Sequence, residues 1–118
     1  HVHDVDIWNQ DDCIAVKDNL GDGNVGADGV SSNMLFERIH ASGLGLVIGS
    51  IGSDSTVRNI TFRNSFLYST FNGIYMKFCA PKNNSMSSGS LIQDIRYDNI
   101  PMEYPKQWGI LMGSTQQL

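Results

Sequence analysis

Residues 2–9 read V-H-D-V-D-I-W-N, residues 57–64 read V-R-N-I-T-F-R-N, and residues 92–99 read I-Q-D-I-R-Y-D-N. Each string opens on an apolar residue, passes two polar ones, then alternates apolar-x-apolar-x and closes on Asn. A looser copy, Met34-Leu35-Phe36-Glu37-Arg38, lies between the first two and lacks the Asn. Alternation with a period of two marks a strand with one buried face, because successive side chains point to opposite sides. Val5 and Ile7, Ile60 and Phe62, and Ile95 and Tyr97 are therefore expected to point inward. Each copy is followed by a second short apolar run: Ile14-Ala15-Val16, Leu46-Val47-Ile48, Ile74-Tyr75-Met76 and Ile110-Leu111-Met112. Three of these runs open directly after a glycine, namely Gly45, Gly73 and Gly109.

No single unit of this kind can bury its apolar face, whereas stacked copies share one continuous core. The expected fold is all-β: a right-handed parallel β-helix, about four coils of a longer solenoid. Ile14, Leu46, Ile74 and Ile110 should then lie in register along one parallel sheet. The closing Asn residues suit turns, since Asn tolerates a positive φ and stacked amides can hydrogen-bond from coil to coil. The units recur at roughly 28 to 36 residues, a little long for bare β-helix coils. The extra length falls in two stretches rich in Gly, Ser, Asn and Asp, Leu20–Ser32 and Cys79–Ser90, read as inserted loops. A helical reading fails on the spacing of two and on the Gly, Asn, Ser and Thr within the runs. A β-sandwich would accommodate the strands but does not account for the matching order of the units.

The chain has 118 residues, 41% hydrophobic and 17% charged, with a formal net charge of −4. A domain of this size can bury a core, and residues 1–118 are expected to form part of a single β-helix catalytic domain. The acidic balance argues against a partner that tracks nucleic-acid phosphates. No apolar run approaches the ~20 residues of a membrane span. The start at His1-Val2-His3-Asp4 already alternates as a strand does, so the chain reads as cut from a longer protein. Cys13 and Cys79 make neither a metal cluster nor a disulfide framework; the open pairings are with each other or with a cysteine elsewhere. The sequons Asn59-Ile60-Thr61 and Asn83-Asn84-Ser85 are compatible with secretion. His1, His3 and His40 have no carboxylate or cysteine at metal spacing and read as surface or packing residues. Gly21-Asp22-Gly23-Asn24-Val25-Gly26 matches a dinucleotide fingerprint, but no apolar helix opens after it. Asp22, Asn24 and Asp28 lack the ligand order and closing Glu of a calcium loop.

The chemistry concentrates in Asn9-Gln10-Asp11-Asp12-Cys13-Ile14-Ala15-Val16-Lys17. Two adjacent carboxylates before an apolar strand repel each other, and burial would penalise either. In a regular strand they would face opposite ways, so they serve one site only at the turn before Ile14. Taken alone, an Asp-Asp pair is an Asx-type turn with solvated acids. Here N-Q-D-D-C-I-A-V-K is followed by S-G-L-G-L-V-I-G-S-I-G (residues 42–52) and G-I-Y-M-K (residues 73–77). These strings, in this order on successive coils, resemble glycoside hydrolase family 28, the polygalacturonases and their relatives, across essentially the whole chain.

The resemblance implies inverting hydrolysis of α-linked, galacturonate-containing pectic polysaccharide, without a cofactor or metal. It implies Asp11 as the general acid on the leaving oxygen and Asp12 as a residue that activates the attacking water. A third aspartate, in an Asn-Thr-Asp motif, belongs one coil upstream. The retained Lys77 is implied to hold a sugar carboxylate, while Tyr75, on the same outward parity, is as an aromatic residue a candidate to stack on a sugar ring, with Trp8 and Trp108 as weaker ones. The sequence departs from the family pattern at three places. Gly43-Leu44-Gly45 replaces Gly-His-Gly, Tyr75-Met76-Lys77 replaces Arg-Ile-Lys, and the usual partner of the Asp-Asp-Cys cysteine has no counterpart near Ala41. The full-length protein is expected to be a secreted monomer whose partner is a polysaccharide, with no nucleic acid and no membrane. Two rival readings stand: a relative acting on another pectic substrate such as rhamnogalacturonan, and a non-catalytic carbohydrate-binding solenoid.

Overall fold

The computed structural model describes residues 1–17, 30–52, 55–78 and 90–113. The Gly21–Gly26 fingerprint, the Asp22/Asn24/Asp28 group, Cys79 and the Asn83 sequon lie outside the described residues, as do most of the two expected loops. Every regular element among the described residues is a strand. In chain order they are β1 (Val2–Trp8), β2 (Ile14–Val16), β3 (Val30–Ser42), β4 (Leu46–Ile51), β5 (Thr56–Arg63), β6 (Phe66–Tyr68), β7 (Asn72–Phe78), β8 (Leu91–Asp98), β9 (Met102–Glu103) and β10 (Trp108–Gly113). All pairings are parallel.

Two sheets result. The first runs β8-β5-β3-β6-β9, with β1 also paired to β3, and the second runs β10-β7-β4-β2. The chain crosses from the first sheet to the second once per coil, which makes a parallel β-helix. Ile14 pairs with Leu46, Leu46 with Ile74 and Ile74 with Ile110, the expected ladder. The inward positions read from the sequence meet in one core: Ile60 and Phe62 are fully buried, with Val5, Ile7, Ile95 and Tyr97 packed around them. Phe36, Phe62 and Tyr97 stack on three successive coils at centroid separations of 4.8 and 4.7 Å. Burial of each such side chain contributes about 1.5–3 kcal/mol, and stacking the coils makes that burial available to every copy.

The strands bend at residues in the left-handed region, which recur in register. Asn33 and Asn59 (φ 60° and 53°) form one row with Asp94, and Asn64 and Asn99 (φ 49° and 54°) belong to a second row with Arg38 and Asp4. Asn59 Nδ2 donates to Asn33 Oδ1 at 2.8 Å, and Asn99 Nδ2 to Asn64 Oδ1 at 3.0 Å, so stacked amides do bridge coils. Further along the second row a bidentate pair replaces the amides: the Arg38 guanidinium donates to both Asp4 oxygens at 2.7 and 2.9 Å. That pairing holds the Asp4 carboxyl well below the usual carboxylate range, with His3 assisting.

Two expectations are corrected. The string at 2–9 matches 57–64 in pattern but not in register, because Val2 pairs with Phe36, which pairs in turn with Phe62. The third and fourth coils each carry three left-handed residues, Asn59, Asn64 and Ser69 and then Asp94, Asn99 and Tyr104, with alternating residues between them, so one pattern fits more than one register. Asn9 consequently is not a left-handed corner like Asn64 and Asn99. Val30-Ser31-Ser32, read as loop, opens β3 and pairs with Thr56-Val57-Arg58.

Candidate active site

The Asp-Asp pair sits at the turn that carries the chain from β1 into β2, and Asn9 organises that turn. Asn9 Oδ1 accepts from the Asp11 backbone N–H at 3.3 Å, while its Nδ2 donates to the Asp12 carbonyl at 3.2 Å. The next coil closes against the same turn: Leu44 N–H donates to the Asp11 carbonyl at 2.8 Å, and Cys13 N–H to the Gly45 carbonyl at 2.9 Å. Gly43 is required here, since a Cβ would run into Asn9 Oδ1, the Asp11 carbonyl and Cys13 Sγ. The fixed turn lets both acids escape the core even though Asp12 has the inward parity of Ile14.

The two carboxylates meet different surroundings. Asp11 is exposed, and its Oδ1 accepts from the Asp12 backbone N–H at 2.8 Å. Asp12 is withdrawn: its side chain is 8% exposed, and its Oδ2 lies 2.6 Å from Lys77 Nζ, itself on a side chain 7% exposed. The other oxygen, Asp12 Oδ1, is buried without a hydrogen-bond partner among the described residues, as is the Tyr75 hydroxyl. Lys77 Nζ also stands 5.3 Å from the centroid of the Tyr75 ring, within cation–π range. Burial of two charges is tolerated because they neutralise each other. Lys77, expected to hold a sugar carboxylate, thus holds one belonging to its own chain, and Tyr75, expected to stack on a sugar, is only 4% exposed.

Sequence reasoning gave Asp11, Tyr75 and Lys77 outward parity and set Asp12 in the turn before β2, but it did not find the contact between Asp12 and Lys77. The roles of Asn9 and Gly43 went unread too; a polar residue two positions before an Asp-Asp turn was the available signal. Cys13 is a free, half-buried thiol whose pKa is pushed up chiefly by burial, with the Asp12 charge adding to it. The histidines each face a carboxylate: His1 with Glu37 at 2.9 Å, His3 with Asp4 at 2.5 Å and His40 with Asp6 at 3.5 Å. Beside the acid turn, a groove of about 310 Å³ runs along the corner between the sheets, with Trp8, Leu44, Phe71 and Lys106 among its walls.

The family model of glycosyl hydrolases family 28 matches residues 1–115. The chain belongs to glycosyl hydrolase family 28. Among family 28 relatives, the probable endopolygalacturonase D of Neosartorya fischeri is 40% identical over 106 residues, covering 88% of this chain and 19% of that protein. Endopolygalacturonase I of Aspergillus aculeatus is 35% identical over 109 residues, 90% of this chain and 24% of its own length. Rhamnogalacturonase B of Aspergillus niger is 38% identical over 77 residues, 64% of this chain and 12% of its own length. The chain therefore spans about a fifth of the length of the curated family 28 relatives it matches. No solved structure matches it. Among the described residues no helix is long and apolar enough to cross a membrane.

Proposed function

We propose that this chain carries the acid–base turn of a secreted, monomeric pectin hydrolase that cleaves α-linked galacturonate-containing polysaccharide with inversion. The observation behind this reading is the division of labour between adjacent carboxylates: Asp11 exposed, Asp12 withdrawn onto Lys77. Asp11 delivers a proton to the glycosidic oxygen as its bond to the anomeric carbon breaks. Asp12, with an unpartnered buried oxygen, accepts a proton from the water whose oxygen bonds to the opposite face of that carbon. Lys77 and Tyr75 form the floor of the sugar position, and Lys77 acts through Asp12 by fixing the orientation of its carboxylate.

A second reading, cleavage of rhamnogalacturonan, is favoured by Leu44 and Tyr75, which stand where the family's His and Arg would meet a galacturonate. The similarity to a protein named rhamnogalacturonase B points the same way. Release of reducing ends from a panel of pectic polymers separates the two. Asp11→Asn in the full-length protein tests both: kcat should fall by roughly 10²–10⁴ with KM little changed. Turnover at the wild-type level in that variant would remove Asp11 from the chemistry, and binding without any release of reducing ends by the wild-type protein would make it a binding module.

A further inference from the structure

We infer that the groove at the corner between the two sheets is a binding position for an acidic sugar unit, with Trp8 as its platform and Lys106 as its carboxylate contact. The inference rests on the hydrolase reading for its substrate class. The groove crosses the stack, drawing Trp8 from the first coil, Leu44 from the second, Phe71 from the third and Lys106 from the fourth. At about 4.8 Å per coil, its two ends lie roughly 14 Å apart, so it follows a chain laid along the stack axis.

Three observations fix the occupant. Trp8 is 81% exposed, a large ring left in water at the groove's edge and suited to cover the apolar face of a sugar. Lys106 is exposed and makes no ion pair among the described residues, and the groove lining contains no carboxylate. The remaining wall is uncharged and mixes apolar Leu44 and Phe71, which suit a sugar's C–H face, with Gln10 and Ser69, which can meet hydroxyls. In a chain of net charge −4, an unpaired cation facing a groove free of acids selects an anionic ligand. Its base is fixed: Lys106 N–H donates to the Thr70 carbonyl at 2.8 Å, and Gln107 N–H to that of Phe71 at 2.9 Å. The groove also shares its wall with the acid turn, since Leu44 lines it while holding the Asp11 carbonyl at 2.8 Å. With Lys77 engaged by Asp12, Lys106 is the cation of the groove's lining, and it reads a uronate beside the cleavage point.

The test uses the full-length protein with galacturonate oligomers and their methyl-esterified, neutral counterparts. Lys106→Gln should raise KM for the acidic oligomer about tenfold at low salt, with kcat within about twofold, and leave the ester unaffected. Added salt should narrow the gap, and Lys106→Arg should restore most of the affinity. Trp8→Ala should weaken binding of acid and ester alike, because stacking does not depend on the charge. Titration of the acidic oligomer into the Asp11→Asn protein reads binding without turnover. Lys106-dependent binding by a protein that cleaves neither polymer would support the groove and sink only the hydrolase reading. Normal turnover with unchanged KM in Lys106→Gln, or an equal loss on the ester, would overturn the inference alone.

Discussion

Replacing Lys77 with Met removes one half of a pair whose side chains are 7% and 8% exposed, at a separation of 2.6 Å. Asp12 Oδ1 already lacks a partner, so the variant strands a whole carboxylate in a dry site. Removing one partner of a buried pair costs about 3–5 kcal/mol, mostly the penalty on the charge left behind. Lys77→Met should therefore lower unfolding stability by about 3 kcal/mol, while adding Asp12→Leu should recover most of that loss by removing the stranded charge. Denaturant titration of the full-length protein reads both, as a shift in midpoint with unchanged slope. Asp12 without its anchor also loses its aim, and a displacement near 1 Å costs on the order of 10² in kcat. KM should move little. Should Lys77→Met keep wild-type stability and kcat while KM rises only for acidic substrate, then Lys77 contacts the sugar and does not hold Asp12.

Phe62 is fully buried and stacked on both sides, by Phe36 and Tyr97. Phe62→Ala should destabilise by about 3–5 kcal/mol in the same titration, since the facing rings cannot close a gap bounded by two sheets. Glu37 is buried beside Arg63 at 2.8 Å, Arg38 at 3.0 Å and His1 at 2.9 Å, and its pKa is lowered chiefly by Arg63. A depressed carboxylate contributes stability above its unfolded pKa and loses it as pH falls through the folded value. Wild type should thus lose more stability than Glu37→Gln on going from about pH 6 to pH 3 in denaturant midpoints.

The inward faces of β5 and β8 were legible because alternation at Ile60-Phe62 and Ile95-Tyr97 is a local property of the strand. The ladder from Ile14 to Ile110 followed because identical faces stack best in register. The register of β1 was not legible, since successive left-handed corners within a coil let one alternating string fit in two places, and pairing with β3 decides between them. At the site, parity put Asp11 and Lys77 on outward faces. What parity cannot show is that Lys77 reaches Asp12 across 65 residues of sequence, a contact set by the spacing of coils. Nor does it show that the ion pair draws both residues, and the Tyr75 ring with them, out of solvent.

The stack also separates two kinds of change. Long connections, residues 18–29 and 79–89, fall where the chain leaves the second sheet, after β2 and β7. The opposite corner, with the Asn9 clamp and Gly43, is short in every coil and stitched to its neighbours by backbone bonds from Leu44 N–H to the Asp11 carbonyl and from Phe71 N–H to the Gly43 carbonyl. Insertions on one side leave the strand register intact, whereas a single residue added on the other would turn the acid pair away from its partner. Such a scaffold tolerates added length along one margin while the geometry around Asp11 and Asp12 stays fixed on the other.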